Sequence, residues 1–173
     1  MAEAFELRNE VADGAAADAL LDAAFGIDRR LKASYRLREG NRPLTEGALA
    51  AYAGARLAGL ISFWPVVIAP LGRPALLLGP IAVHPDFQGA GLGSRLMRAG
   101  LEAVGAAGHD LVFLVGDEPF YGRFGFRPVR EGRIELPGPF DPERLLYREL
   151  TPGALGEAAG LLIAAHRFGA PDA

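Results

Sequence analysis

LLLGPIAVHPDFQGAGLGSRLMRAG, residues 76–100, joins a strand to a helix through a loop almost free of side chains. From Leu76 to Val83 the chain is almost wholly apolar, as a strand buried on both faces is. His84-Pro85-Asp86 ends that run. Gln88-Gly89-Ala90-Gly91-Leu92-Gly93-Ser94 follows, and then Leu96, Met97, Leu101 and Val104 recur at helical spacing. The first N–H groups of a helix lack an intrahelical acceptor and lie at the positive end of its dipole, so an anion is favoured there. Glycines remove the Cβ atoms that would hold a phosphate off, and they allow positive φ angles that turn successive N–H groups toward one point. A pyrophosphate suits such a loop. An ordinary glycine-rich turn suits it as well in a chain with 23 glycines among 173 residues.

Two phosphate loops are excluded by residue type and spacing. A Walker A loop needs Gly-Lys-Ser/Thr at the helix start, and the only lysine is Lys32. A dinucleotide loop, G-x-G-x-x-G, needs a glycine where Leu92 or Ser94 stands. Gln88-x-x-Gly91-x-Gly93 instead resembles the Q/R-x-x-G-x-G/A that follows a parallel strand in the GNAT superfamily of N-acetyltransferases. The resemblance implies that Gln88, Gly89, Ala90, Gly91, Leu92, Gly93 and Ser94 hold the pyrophosphate of acetyl-CoA, the co-substrate. Arg95 and Arg98, one helical turn apart, are either further phosphate contacts or solvated helix positions.

Gly79-Pro80 lies inside the apolar strand. Proline cannot donate to a ladder and glycine weakens pairing, so a bulge, a splay or a sheet edge is expected there. A splay leaves backbone groups of Ile81, Ala82 and Val83 in need of partners on one side. In GNAT proteins the pantetheine amides pair with this fourth strand where it diverges from the fifth, and the resemblance carries that role to Ile81, Ala82 and Val83.

The remaining chain supplies a frame for this stretch. Phe5 to Val11 reads as a half-buried strand, and Asp13 opens an alanine-rich helix closed by Gly26, with Ala16, Leu20, Ala23 and Ala24 on one side. Asp28 to Glu39 reads as a second helix; Tyr35, Arg36 and Arg38 on it are candidates for acceptor contacts or for a solvated face. Ala48 to Tyr52 and Leu57 to Ile68 form a hairpin through Gly54-Ala55-Arg56. After the helix, Asp110 to Val115 is a second buried strand, parallel to the first through a right-handed crossover. Val129 to Leu136 and Leu145 to Leu150 suggest a last antiparallel hairpin around Pro137–Pro142. Thr151 to Ala173 reads as either an apolar helix or an extended tail.

The fold class expected is α/β with a mixed, GNAT-like central sheet. Strands one to four are antiparallel, strands four and five parallel and splayed, with about four flanking helices. Residues 1–150 form a single domain, and 151–173 a C-terminal extension packed on or trailing from it.

Composition narrows the function classes. A formal net charge of −3 with scattered arginines gives no footprint for nucleic acid. The chain has no cysteine, which removes disulfides, thiolate zinc sites and an acyl-cysteine intermediate. His84, His109 and His166 show no ligand spacing, so no metal is expected, and His84 is read as structural. No G-x-S-x-G is present among Ser34, Ser62 and Ser94. The start MAEAFELRNE has no basic segment before an apolar core, and no run reaches membrane-spanning length, so a cytoplasmic protein without membrane partners is expected.

Pro119-Phe120-Tyr121 with Gly125-Phe126 is the second family feature, similar to the F/Y-Y-x-x-x-G-F found after the fifth strand in many GNAT proteins. The resemblance implies direct attack of an acceptor amine on acetyl-CoA in a ternary complex. Tyr121 is then the catalytic acid that protonates the departing thiolate, or a packing surface for pantetheine. Leu76 to His84 contains no acidic residue where many members carry a strand glutamate. The base is therefore a water chain or a residue elsewhere; Asp117 and Glu118 act through water or as helix caps. The expected partner is a small-molecule or peptide amine, with a homodimer as a further candidate. The alternative from another class is a non-catalytic acyl-CoA-binding sensor or scaffold.

Overall fold

A computed structural model describes residues 4–169. Its elements in chain order are β1 (Glu6–Asn9), α1 (Gly14–Phe25), α2 (Ala33–Arg36), β2 (Leu49–Ala53), β3 (Arg56–Ala69), β4 (Arg73–Val83), α3 (Leu92–Ala106), β5 (Leu111–Val115), α4 (Glu118–Tyr121), β6 (Arg127–Pro128), β7 (Ile134–Glu135), β8 (Leu145–Glu149) and β9 (Gly160–Ala164). The strands pair in the order β1-β2-β3-β4-β5-β8-β6, and β9 pairs with both β3 and β7. The sheet is mixed, with β4 and β5 parallel, as the sequence leads one to expect. The chain divides into two compact units. One contains the residues up to Leu31 with Pro43–Phe63 and Gly79–Ala107; the other contains Lys32–Arg42, Trp64–Leu78 and the residues from Gly108 onward.

In the first unit β1, β2 and the start of β3 form an antiparallel meander, with Leu7 opposite Ala51 and Ala50 opposite Leu60. Helix α1 runs between the two punctuating residues read from sequence: Asp13 stands at its N-cap, and the Gly26 N–H donates to the Asp22 carbonyl at 2.9 Å. Its inward stripe is Ala17, Leu20, Leu21 and Ala24, packed with Leu57, Leu60 and Ala82. Ala16 and Ala23, expected on that side, are exposed. Both stripes have helical spacing, and the one with two leucines removes more apolar surface from water. Helix α3 buries Leu92, Leu96, Met97, Gly100, Leu101 and Val104. It lies close on β3: a Cβ at Gly59 would meet Leu96 at 3.0 Å and Leu92 at 3.2 Å, and one at Gly100 would meet Phe63 at 2.9 Å.

Asp28 to Glu39 is not one helix. Ile27–Leu31 is a 3₁₀ turn and α2 is a separate short helix. The Arg29 side chain is buried, and its guanidinium turns back onto Asp22 at 3.0 Å and Asp18 at 3.4 Å. A buried cation needs such partners, and satisfying it bends the segment onto α1, leaving Ile27 and Leu31 exposed.

In the second unit β5 is the centre. Its parallel ladder with β4 is two pairs long, Leu76 with Val112 and Leu77 with Phe113, both before Gly79. Its antiparallel ladder with β8 runs from Leu111–Glu149 to Val115–Leu145. The hairpin expected between Val129 to Leu136 and Leu145 to Leu150 does not form as two full strands, although the Val129 N–H donates to the Leu145 carbonyl at 3.0 Å. Instead the two-residue β6 pairs with β8, and β7 pairs in parallel with β9. Thr151 to Ala158 is a series of turns, after which β9 pairs antiparallel with Val66–Ala69 of β3. Residues 1–3 and 170–173, which belong to the expected domain start and C-terminal extension, lie outside the described residues. The core of this unit gathers Leu37, Val66, Ile68, Leu77, Phe113, Ile134, Leu145 and Leu162 among others, with Trp64 packed partly buried against it.

Candidate active site

The glycine-rich loop belongs to the first unit. Beyond β4 the His84 N–H donates to the Ala58 carbonyl at 2.8 Å, which holds the strand end on β3. Pro85–Phe87 is one 3₁₀ turn, capped by His84, whose Nδ1 accepts from the Asp86 N–H at 3.1 Å. That bond gives His84 the structural role expected of it. Gln88, Gly89, Ala90 and Gly91 are exposed. Gly89 has φ +85° and Gly91 has φ +76°, with nothing within 4 Å of a Cβ at either, so glycine serves both conformation and access. Gly91 is the N-cap of α3, and the first intrahelical bond runs from the Arg95 N–H to the Gly91 carbonyl at 3.1 Å. The N–H groups of Leu92, Gly93 and Ser94 are therefore the free donors of the helix start. These residues fit an anionic group: backbone donors, dipole and an open approach coincide.

The individual candidates differ in what they can offer. Leu92 is 2% exposed with its side chain in the core, so only its N–H is available to a ligand. Gly93 has an ordinary φ, and a Cβ there would touch Val83 at 3.7 Å, consistent with the alanine tolerated at this place in the motif. Ile81 and Val83 are partly exposed, whereas Ala82 points into the core with Leu20 and Leu60. Arg95 donates through Nη1 to the Phe5 carbonyl at 3.0 Å, and Arg98 is exposed on α3.

Tyr121 belongs to the second unit, at the last position of α4. The Gly116 N–H donates to the Arg144 carbonyl at 2.9 Å, and the Tyr121 N–H reaches back to the Asp117 carbonyl at 3.1 Å. Its ring lies over Gly116, where a Cβ would come within 2.8 Å of Cδ2. Phe120 meets the ring edge-on at 4.9 Å and Phe126 at 6.3 Å. Burial pushes the phenol pKa up, the Asp117 carboxylate pushes it further, and the Arg144 guanidinium partly opposes them. The group is thus held protonated, the state a proton donor needs.

Three residues around Tyr121 are invisible to motif reading. Arg144 pairs through Nε with Asp117 at 3.2 Å, and Arg148 donates to the Phe124 carbonyl at 3.0 Å, fixing the turn that follows α4. Gly116 is the platform under the ring. Asp117 occupies the N-cap position of α4 but makes no capping bond, its carboxylate being turned to Arg144 instead. Beside it opens a hollow of about 530 Å³ whose lining includes five acidic residues, Asp117, Glu118, Glu131, Asp141 and Glu143, and one basic residue, Arg144. Among the described residues no group of three or more His, Cys, Asp or Glu is arranged to hold a metal ion, and no helix is long and apolar enough to cross a membrane.

Comparison with known proteins gives this geometry a family. The acetyltransferase (GNAT) domain family matches residues 45–128, from before β2 to the end of β6. The uncharacterized N-acetyltransferase YjhQ of Escherichia coli (strain K12) is 33% identical over 120 residues, which span 68% of this chain and 65% of that protein. The crystal structure of the GNAT family N-acetyltransferase YhbS from Escherichia coli in complex with CoA superposes with a TM-score of 0.77 at 26% identity, over 96% of this chain and 93% of that one. A GNAT family acetyltransferase from Brucella melitensis in complex with acetyl-CoA has a TM-score of 0.58 at 27% identity, covering 83% of this chain and 95% of its own. A strand ending at a glycine-rich helix start, matched across two sequence comparisons and a near full-length superposition, places the chain in the GNAT superfamily of N-acetyltransferases.

Proposed function

We propose that this protein is a cytoplasmic, acetyl-CoA-dependent N-acetyltransferase acting on a primary amine of a small molecule or peptide. The observation that carries the reading is the pair Gly89 and Gly91 at positive φ with open approach, leading into the free N–H groups of Leu92, Gly93 and Ser94. CoA and acetyl-CoA complexes of two structural neighbours support the choice of anion. Gln88 to Ser94 would hold the pyrophosphate, and the backbone of Ile81, Ala82 and Val83 would pair with the pantetheine amides. Acetyl-CoA would supply the acetyl group: the acceptor nitrogen bonds to the thioester carbon, the carbon–sulfur bond breaks, and coenzyme A leaves as its thiol. Tyr121 supplies the proton that the sulfur takes up, the proton shed by the acceptor nitrogen passes through water and restores the phenol, and the backbone N–H of Val83 or its neighbour polarises the thioester oxygen. The acidic hollow beside Asp117 favours a cationic acceptor.

Tyr121→Phe tests the assignment. Acetyl transfer to the acceptor found by an amine screen should fall by about 10²–10⁴-fold, the usual contribution of a positioned acid, while calorimetric CoA affinity stays. Unchanged turnover would remove Tyr121 from the mechanism. The absence of an acid between Leu76 and His84 favours a second reading, an acyl-CoA-binding sensor without turnover. CoA binding with no transfer to any amine in the screen would select it.

A further inference from the structure

Gln88 to Gly91 is an open stretch of the first unit, with four exposed residues and nothing within 4 Å of a Cβ at either glycine. Both flanks of this stretch are nevertheless tied to one residue, Phe5. On the N-terminal side Phe87 is buried, and its ring meets the Phe5 ring edge-on at 5.8 Å. Over the same Phe87 ring stands the Arg56 guanidinium at 4.9 Å, which also pairs with Asp86 at 2.8 Å. On the C-terminal side Arg95, in the first turn of α3, donates to the Phe5 carbonyl.

We propose that Phe5 and Arg56 are positioning residues for the glycine loop and set its affinity for the pyrophosphate group of the coenzyme. A glycine-rich loop has many conformations to lose when it closes on an anion, and fixing its two flanks removes part of that loss before the ligand arrives. Phe5 does so at both flanks at once, by its ring and by its carbonyl. Arg56 acts mainly through Phe87. Its ion pair with Asp86, each side chain 59% exposed, contributes little alone, but it orients the guanidinium that covers the ring. Sequence distance hides the arrangement, since Phe5 and Arg95 are 90 residues apart. The inference rests on the reading of Gln88 to Ser94 as the pyrophosphate site.

Titration of coenzyme A into the wild-type protein, Phe5→Ala, Arg56→Ala and Phe5→Tyr tests it, together with acetyl-CoA kinetics on the same four. The two alanine variants should bind coenzyme A about tenfold more weakly and raise the KM for acetyl-CoA in proportion, with kcat at saturation within about twofold. Phe5→Tyr, which keeps the ring edge, should bind as wild type does. Alanine variants that melt earlier yet bind with wild-type affinity would overturn the inference and leave the loop assignment intact. Wild-type protein that fails to bind coenzyme A would instead overturn the loop assignment itself, and this inference with it. Should Phe5→Ala not fold, Arg56→Ala decides alone.

Discussion

Tyr121 is held in a place where its anion is disfavoured twice, by burial and by the Asp117 carboxylate, so its pKa lies above the ordinary phenol value of about 10. The sign of the consequence follows. Between the unfolded and the folded pKa the unfolded chain has released this proton and the native chain has kept it. The contribution to stability is therefore complete below about pH 10 and is lost as the pH rises through the folded value. Thermal melts from neutral pH into the alkaline range should show a fall that is shallower in Tyr121→Phe, and tyrosinate absorbance should lose one late-titrating phenol in that variant. Tyr52, whose hydroxyl donates to Glu10 at 2.5 Å, also titrates late and remains as an internal comparison. The motif holding Tyr121 was legible because its residues are neighbours in sequence. The balance behind its raised pKa was not, because burial, its main cause, is set by packing, and Arg144, which opposes the rise, reaches Asp117 across 27 residues. Gly89 and Gly91 were legible for a different reason: only glycine adopts their backbone without strain.

At the scale of elements, α3 on β3 is the packing that fixes the end of the glycine-rich loop, and it depends on a missing side chain. Gly100 faces Phe63 and Ile61, so a Cβ there would stand 2.9 Å and 3.2 Å from their atoms. Helix propensity alone would favour alanine over glycine by about 1 kcal/mol, yet both neighbours are fully buried and cannot retreat. For Gly100→Val overpacking wins, and chemical denaturation should show a loss of about 1–3 kcal/mol. Nothing in the sequence marked Gly100, since a glycine inside a helical pattern reads only as a weak position. Elements longer than four residues with one clear period, α1, β2, β3, β4, α3, β5 and β8, were legible within a few residues. β6 and β7 have two residues each, too few for any period to show. Gly160–Ala164 is an apolar run that fits helix or strand equally, and pairing with Val66–Ala69 decides it. The Ile27–Leu31 turn escaped because the partners of the buried Arg29 lie on α1, beyond any local pattern.

For the whole molecule the informative quantity is the free energy that a ligand adds to the native state. The curated relative is matched over 65% of its length and the CoA-bound structure over 93%, so binding of the coenzyme is the property best suited to a first test on the full chain. A ligand that binds only the native state at a hundredfold excess over its dissociation constant adds about 2.7 kcal/mol. For a chain of 173 residues each kcal/mol raises the melting temperature by about 2–4 °C. Saturating acetyl-CoA or CoA should therefore raise it by roughly 5–10 °C. NADH at the same concentration should not, because the loop lacks the third glycine and the acidic residue of a dinucleotide site. Arginines are scattered and the net charge is −3, so generic attraction of polyanions gives no rival explanation of a selective shift. Equal shifts with all three compounds would point to unspecific phosphate binding at the α3 start. No shift with either coenzyme would leave Gln88 to Ser94 as a turn, and membership of the family would then describe the fold of this chain and not its chemistry.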